Sequence, residues 1–331
     1  MFLEKFRFSL WCDFVERNFL KNDFKKLIEK NIVNGATSNP AIFKSAILTS
    51  PSYKDEIEKL KDLEPKEIYE ELACEDIKTA ADIMFPLYEN GDDGFISIEI
   101  DPRLCDDAQK SIEEGKRLSR KIARENVMIK VPATEAGYEV IESLVAEGIH
   151  VNVTLVFSPL QAKLALEAVK KGQKRITQGV DFPKVVISVF VSRFDRKLDK
   201  LLLEKNIKGG LTGIYNASKI YNMIESQNII NVRTLFASTG VKGDDLPKDY
   251  YIKELLYRNS INTAPLSTID EFLKNDKFIV KEPISNAVID DYFQVLKYQN
   301  IDMQKVYEEL MSEGLDAFKI AFKEILDAVG E

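Results

Sequence analysis

The sequence predicts an α/β protein built as a closed (β/α)8 barrel of the TIM type with extra helices. Three observations carry that expectation. Short apolar runs alternate with amphipathic stretches eight times, the pattern of repeated βαβ units. The length, 331 residues, suits such a barrel with insertions. No linker, low-complexity tract or composition shift divides the chain, so residues 1–331 read as one barrel domain closed by C-terminal helices. An open doubly wound sheet is the rival topology, but no Gly-x-Gly-x-x-Gly turn follows the first run, which removes its commonest dinucleotide signature.

The first run spans residues 8–14 and a helical stretch follows to about 30; residues before it read as a helical turn. The second spans 32–39, with Pro40 suited to the first position of the next helix. A helical region over 52–90 is interrupted near Pro65 and looks like more than one helix. The third run is 94–100. The helix expected over 106–124 carries Ala108, Ile112, Gly115, Leu118 and Ile122 at helical spacing. The fourth run, 127–131, holds Lys130, and a helix starts near Thr134. The fifth, 150–157, is followed by Ser158-Pro159-Leu160-Gln161, a capping box with proline at the first helical position. The sixth, 184–191, precedes a helical region to about 227 with a break at Gly209-Gly210. The seventh covers 232–239 and a short eighth 263–266. Helices from about Thr268, Pro283 and Ile301 close the chain, the last with Val306, Leu310, Phe318, Phe322 and Leu326 as its apolar positions.

Composition narrows the function. The chain is 45% hydrophobic and 30% charged, with net charge -8 and pI near 5.1, which argues against nucleic acid or an anionic membrane as a partner. A local basic pocket for a small anion stays open. A single histidine, His150, excludes two-histidine mechanisms and most histidine-rich metal sites, so no metal is expected. Cys12, Cys74 and Cys105 are few, odd in number and unpatterned, and read as reduced thiols of a cytoplasmic protein. No apolar run reaches membrane-spanning length, and charges at Glu4, Lys5, Arg7 and Asp13 make the N-terminus a poor signal peptide.

A buried parallel strand should be apolar on both faces. These strands break that rule with a pattern. Ile96, Ile98 and Ile100 share one face of the third run, Ser97 and Glu99 the other. Val151, Val153 and Leu155 oppose Asn152 and Thr154 in the fifth. Asp13 ends the face of Ser9 and Trp11, Thr37 and Asn39 share a face, Ser188 lies on the face of Phe190, and Ser238 ends the seventh run. Side chains alternate with period two, and the face toward the helices must be apolar, so the polar face is the barrel interior. Lys130 has the parity of Met128 and can join it. A lone strand lysine is ordinarily salt-bridged or snorkelling, but six strands supplying polar groups to one interior would cost stability without use. The set reads as a polar pocket around Lys130.

A desolvated lysine in its neutral form is a nucleophile toward carbonyls, and the iminium it forms is an electron sink that needs no cofactor. Glu99 and Asp13, the two strand carboxylates of the polar face, are the candidate acid and base. Asn39, Asn152, Thr154 and Ser188 can hold sugar hydroxyls and a water. Arg193 lies just beyond the sixth run, and Ser238 to Lys242 follow the seventh, where barrels often bind phosphate. For Arg193 and Lys242 an ordinary solvated surface charge is the alternative.

Two stretches now carry a resemblance. GATSNPAIF, residues 35–43, and VMIKVPAT with Gly137 resemble the N-terminal and active-lysine signatures of the transaldolase family. LWCDF, SIEID, NVTLVFS, ISVFVSR and LFASTGVK follow in the family's order, so the likeness covers about residues 8–273 and points to the longer bacterial subgroup with TSNP and ASTGxK stretches. The resemblance implies a Schiff-base lysine, Lys130, on strand 4, attacking the C2 ketone of sedoheptulose 7-phosphate or fructose 6-phosphate. It implies that Glu99, through a water held by Thr154, drives dehydration to the imine, and that Asp13 takes the C4 hydroxyl proton as the C3–C4 bond breaks. A dihydroxyacetone unit then waits on Lys130 for erythrose 4-phosphate or glyceraldehyde 3-phosphate. Asn39, Asn152 and Ser188 orient that unit, and Arg193 and Ser238 bind phosphate. The chain departs from the family at Asn34, usually aspartate, and at Gly240, where many members carry arginine; Lys242 is the candidate replacement.

Two other readings compete. Small fructose 6-phosphate aldolases resemble the same family but are shorter and usually carry glutamine and tyrosine where Glu99 and Phe190 stand. A non-catalytic sugar-phosphate binding protein would use Lys130 as an anchor, which leaves Glu99 and Asp13 unexplained because carboxylates repel phosphate. The sequence does not give the oligomeric state; a homodimer is one expectation.

Overall fold

In the computed structural model eight parallel strands close on themselves in chain order. They are β1 (Ser9–Cys12), β2 (Gly35–Thr37), β3 (Phe95–Glu99), β4 (Val127–Pro132), β5 (Val151–Val156), β6 (Val185–Phe190), β7 (Val232–Ala237) and β8 (Ser260–Ala264). Helices join successive strands, as a right-handed parallel crossover requires. The structure describes residues 3–330 except 178 and 276. The fold is the (β/α)8 barrel the sequence predicts.

The alternation along the strands sorts the side chains into two cores. Leu10, Ala36, Ile98, Ile129, Val153 and Ile187 face outward and pack with the helices. Trp11, Phe95, Met128, Val186, Leu235 and Ile261 face inward. The inward apolar residues fill the N-terminal half of the barrel, and polar ones come next along most strands. Gly35 is required by this filling: a β-carbon there would lie 2.4 Å from the Trp11 ring. Trp11 Nε1 donates to Asp93 Oδ2 at 3.0 Å. Arg233, inward on β7, closes the same end by donating to Asp93, to Ser9 Oγ and to the carbonyls of Arg7, Asn259 and Ser260.

Register then aligns the polar half. Glu99 pairs with Lys130, Lys130 with Asn152 and Pro132 with Thr154. Caps hold the helix starts at the C-terminal rim. The Asn39 side chain accepts from Ile42 N, Thr134 Oγ1 accepts from Gly137 N, and Ser158 with Gln161 forms the expected capping box.

Most expected elements are present, including the helix break at Pro65, where Lys54–Leu60 gives way to Pro65–Glu89, and the break at Gly209-Gly210 between Ser192–Glu204 and Thr212–Gln227. Two details differ. The eighth strand begins at Ser260 and ends at Ala264, while Leu266 opens the helix Leu266–Leu273. Two of its buried polar atoms are met by specific bonds, Ser260 Oγ donating to the Tyr257 carbonyl and Asn262 Oδ1 accepting from Thr239 Oγ1, so polar residues stand within the strand and no apolar run marks it. The second difference is in β5. Leu155 has φ +55° and the pairing with β6 slips between Val153 and Val156, a bulge. Leu155 therefore joins the inner core with Phe157, and not the outward face of Val151 and Val153.

The helix Met303–Val329 returns across the C-terminal rim. Phe322 packs edge-on to Tyr69, Arg103 lies over the Phe322 ring at 5.0 Å, and Lys44 pairs with Glu324 at 2.5 Å. Gly314 is the close approach: a β-carbon there would stand 2.9 Å from Leu155 Cδ2. The cysteines are buried and unpaired. Among the described residues no helix is long and apolar enough to cross a membrane.

Candidate active site

Lys130 stands mid-way along β4, inward, and is 5% exposed. Its ammonium donates to the Ser38 carbonyl at 3.0 Å and lies 3.5 Å from Glu99 Oε2. The second contact is an ion pair too long for a strong hydrogen bond. The Phe318 ring, from the C-terminal helix, covers the amine with its centroid 5.8 Å from Nζ. One charged group is thus enclosed by a backbone dipole, a carboxyl and an aromatic face.

The two carboxylates answer to burial. Burial pushes the Glu99 carboxyl up to about 7; the nearby Lys130 charge opposes this and the Asp13 charge adds to it. Burial also raises Asp13, against the pull of Lys130 and of the Thr37 hydroxyl. Thr37 Oγ1 is 2.6 Å from Asp13 Oδ1 and 2.7 Å from Thr263 Oγ1. Thr37, itself held by Thr263, thus anchors one oxygen of Asp13, which follows β1 and lines the cavity. Glu99 Oε2 and Thr154 Oγ1 are buried without a hydrogen-bond partner among the described residues.

Asp13, Asn39, Lys130, Thr154, Ser188, Arg193 and Ser238 line one cavity of about 180 Å3 at the C-terminal end of the barrel. Asn39 serves twice, since Oδ1 caps the helix Pro40–Thr49 while the residue faces the cavity. Asn152 is fully buried and lies outside the lining. It takes a bond from Ser188 Oγ at 2.6 Å and donates to Ser97 Oγ at 3.2 Å, and so holds Ser188 in place. Glu99 likewise touches Lys130 from outside the lining.

The far end of the cavity is cationic. Arg193 makes no ion pair within 4 Å among the described residues, and its guanidinium lies over the Phe190 ring at 5.3 Å. Burial, with Arg196 nearby, lowers its pKa, and it stays charged. Ser238, with left-handed backbone at φ +55°, brings its hydroxyl 3.1 Å from that of Ser192. A dianionic head group would meet Arg193 and these hydroxyls there. Lys242 is exposed in the loop after β7 and does not line the cavity.

Seven lining residues lie outside the set the sequence points to as site residues: Thr37, Ala41, Phe190, Ala237, Thr263, Ala317 and Phe318. Thr37 shares the parity of Asn39, which was the available signal. Phe318 gave only a helical apolar spacing, which reports a buried face and not what that face covers. His150 takes no part. Its Nδ1 accepts from Lys184 N, its ring packs on Tyr88 and Phe95, and burial with the Lys184 charge lowers its pKa to about 4. No metal-binding group of His, Cys, Asp or Glu occurs among the described residues.

Comparison with known proteins bears on the whole chain. A family model described as Transaldolase/Fructose-6-phosphate aldolase matches residues 10–329. A protein of Campylobacter jejuni strain RM1221 named Transaldolase is 52% identical over 330 residues, covering 97% of this chain and 99% of that protein. A Helicobacter pylori protein of the same name, from strain 26695, is 49% identical over 323 residues, with the same shares covered. The likeness to a solved putative fructose-1,6-biphosphate aldolase from Coccidioides immitis covers 99% of this chain and 94% of that one, but at 11% identity and a TM-score of 0.29 it carries no argument.

Proposed function

The chain belongs to the transaldolase/fructose-6-phosphate aldolase family, and from that premise we propose that it is a transaldolase working through an imine on Lys130. It moves a dihydroxyacetone unit from sedoheptulose 7-phosphate or fructose 6-phosphate to an aldose phosphate, a step of the non-oxidative pentose phosphate pathway in the cytoplasm. The observation that carries this reading is the buried Lys130 amine, 3.5 Å from a carboxyl whose pKa burial raises to about 7, in a cavity that ends at Arg193, which has no ion pair among the described residues.

The neutral amine adds to the C2 ketone and gives a carbinolamine. Loss of its hydroxyl as water leaves the iminium. That loss needs a proton delivered and then recovered, and Glu99, with its pKa near the working pH, is suited to both. Glu99 Oε2 and Thr154 Oγ1, neither with a hydrogen-bond partner among the described residues, supply the polar partners for a water that relays the proton. Asp13 accepts the C4 hydroxyl proton. The C3–C4 electron pair moves into the enamine, and the aldose phosphate leaves. An acceptor aldehyde then takes up that pair, Asp13 returns the proton, and water releases the new ketose. Arg193 and Ser238 hold the phosphate, and Asn39 and Ser188 meet the hydroxyls of the bound unit.

Glu99 and Phe190 favour transfer over simple aldol cleavage, since the small aldolases of this family usually have glutamine and tyrosine there. The test is borohydride reduction with fructose 6-phosphate, followed by peptide mass analysis. The expected result is a reduced three-carbon adduct on Lys130 and turnover that depends on erythrose 4-phosphate. No adduct at Lys130 would sink the imine; an adduct with turnover independent of the acceptor would indicate cleavage.

A further inference from the structure

We propose that the opposite, N-terminal end of the barrel carries a second binding site, for a phosphate monoester with a flat ring body, about the size of a mononucleotide. A cavity of about 510 Å3 opens there, walled by the starts of β1, β3, β6, β7 and β8. It shares no lining residue with the cavity at Lys130. The Trp11 ring, pressed onto Gly35, stands between the two ends. The volume lies in the range that encloses a drug-sized ligand.

Charge selects the class of ligand. Arg7, Lys184 and Arg233 line the cavity against a single carboxylate, Asp93, in a chain whose net charge is -8. Arg233 is satisfied by Asp93 and three carbonyls, and serves as structure. Arg7 and Lys184 make no ion pair within 4 Å among the described residues. Among the described residues Lys184 Nζ donates only to Asn231 Oδ1, at 2.7 Å. Burial is the main cause that pushes the Lys184 pKa down, and the charges of Arg7 and Arg233 add to it against those of Asp93 and Asp181, so Lys184 is repelled by Arg7. Glu225, whose field reaches Arg233 and Arg7, is held by Asn259 and is not in the lining. An anion bridging Arg7 and Lys184 would relieve this repulsion.

The floor selects the body. Tyr88 and Phe95 meet edge to face at 5.3 Å and line the cavity beside Trp11 and Met128. An aromatic surface beside two cations suits a planar ring joined to a phosphate, with the ring on the aromatic side and the phosphate at Arg7 and Lys184.

The experiment is calorimetric titration of the full chain with adenosine monophosphate and, separately, inorganic phosphate. The variants are the double substitution Arg7→Ala/Lys184→Ala and the single Arg193→Ala, each first shown to melt as the parent does. The expected result is one-to-one binding of the nucleotide that survives Arg193→Ala, weakens at least about tenfold in the double variant, and exceeds that of phosphate alone. Absence of saturable binding, or equal affinity in the double variant, overturns the site. Loss in Arg193→Ala moves the binding to the other end of the barrel and overturns it equally. Inorganic phosphate binding as tightly as the nucleotide overturns the assignment of a ring-bearing ligand.

Discussion

Replacing Glu99 by glutamine should make the protein more stable relative to its parent as pH rises, while it slows catalysis. The Glu99 carboxyl moves from 4.5 to about 7 on folding. Between those values the folded chain holds a proton that the unfolded chain has released. Stability drawn from that proton is full below the unfolded value and is lost as pH climbs through the folded one. The gap corresponds to roughly 3 kcal/mol at one pKa interval per 1.4 kcal/mol. Glutamine keeps the shape and carries no titration. Urea unfolding of both proteins from about pH 4.5 to about pH 8 isolates the effect, because every other group is common to the pair. The stability of the variant minus that of the parent should grow across the interval by roughly 3 kcal/mol and flatten above pH 7. Asp13 and Lys130 share the charge cluster, so the midpoint belongs to the cluster as a whole. Turnover should fall by about a hundredfold or more, the usual worth of a placed acid–base group, and reductive trapping on Lys130 should slow with it. A difference that stays level with pH would refute the burial argument, and an unchanged turnover would refute the assigned role.

Arg193→Ala should raise KM for phosphorylated donors about 10- to 100-fold, while reductive trapping of unphosphorylated dihydroxyacetone on Lys130 stays unchanged; steady-state kinetics and mass analysis read the two. Phe318→Ala should uncover the enamine, so that release of free dihydroxyacetone without acceptor rises several-fold relative to transfer, at a stability loss of about 3 kcal/mol. An unaltered ratio in a folded variant would deny Phe318 that part. Gly35→Ala should cost about 1–3 kcal/mol by pushing the added methyl into Trp11. Since Trp11 is the one tryptophan, its emission should shift with the loss.

Parity alone makes the barrel interior readable in the sequence. Asp13, Asn39, Lys130, Thr154 and Ser188 come together because a strand turns alternate residues the same way, and an interior position tolerates a polar group only where it has use or a partner. The same rule failed at Leu155, because a residue at φ +55° inserts an extra step and reverses the alternation locally. It also could not say that Asn152 lies below the cavity, gripping Ser188 and Ser97, since depth along the barrel depends on shear between strands. The eighth strand was hidden by its own polarity. Phe318 was out of reach for another reason: helical periodicity shows that a stripe is buried, while its partner across the fold is set by tertiary packing alone.

The return of the C-terminal helix has a consequence in time. A chain is made from its N-terminus, so all eight strands, and Lys130 with both carboxylates, leave the ribosome before Phe318 does. Barrel closure and the drying of the amine are therefore separate events. A nascent barrel would leave Lys130 and the two carboxylates open to water until Gly314 docks against Leu155 and brings the aromatic cover down. Lys130 is covered by a helix that is made after all eight strands.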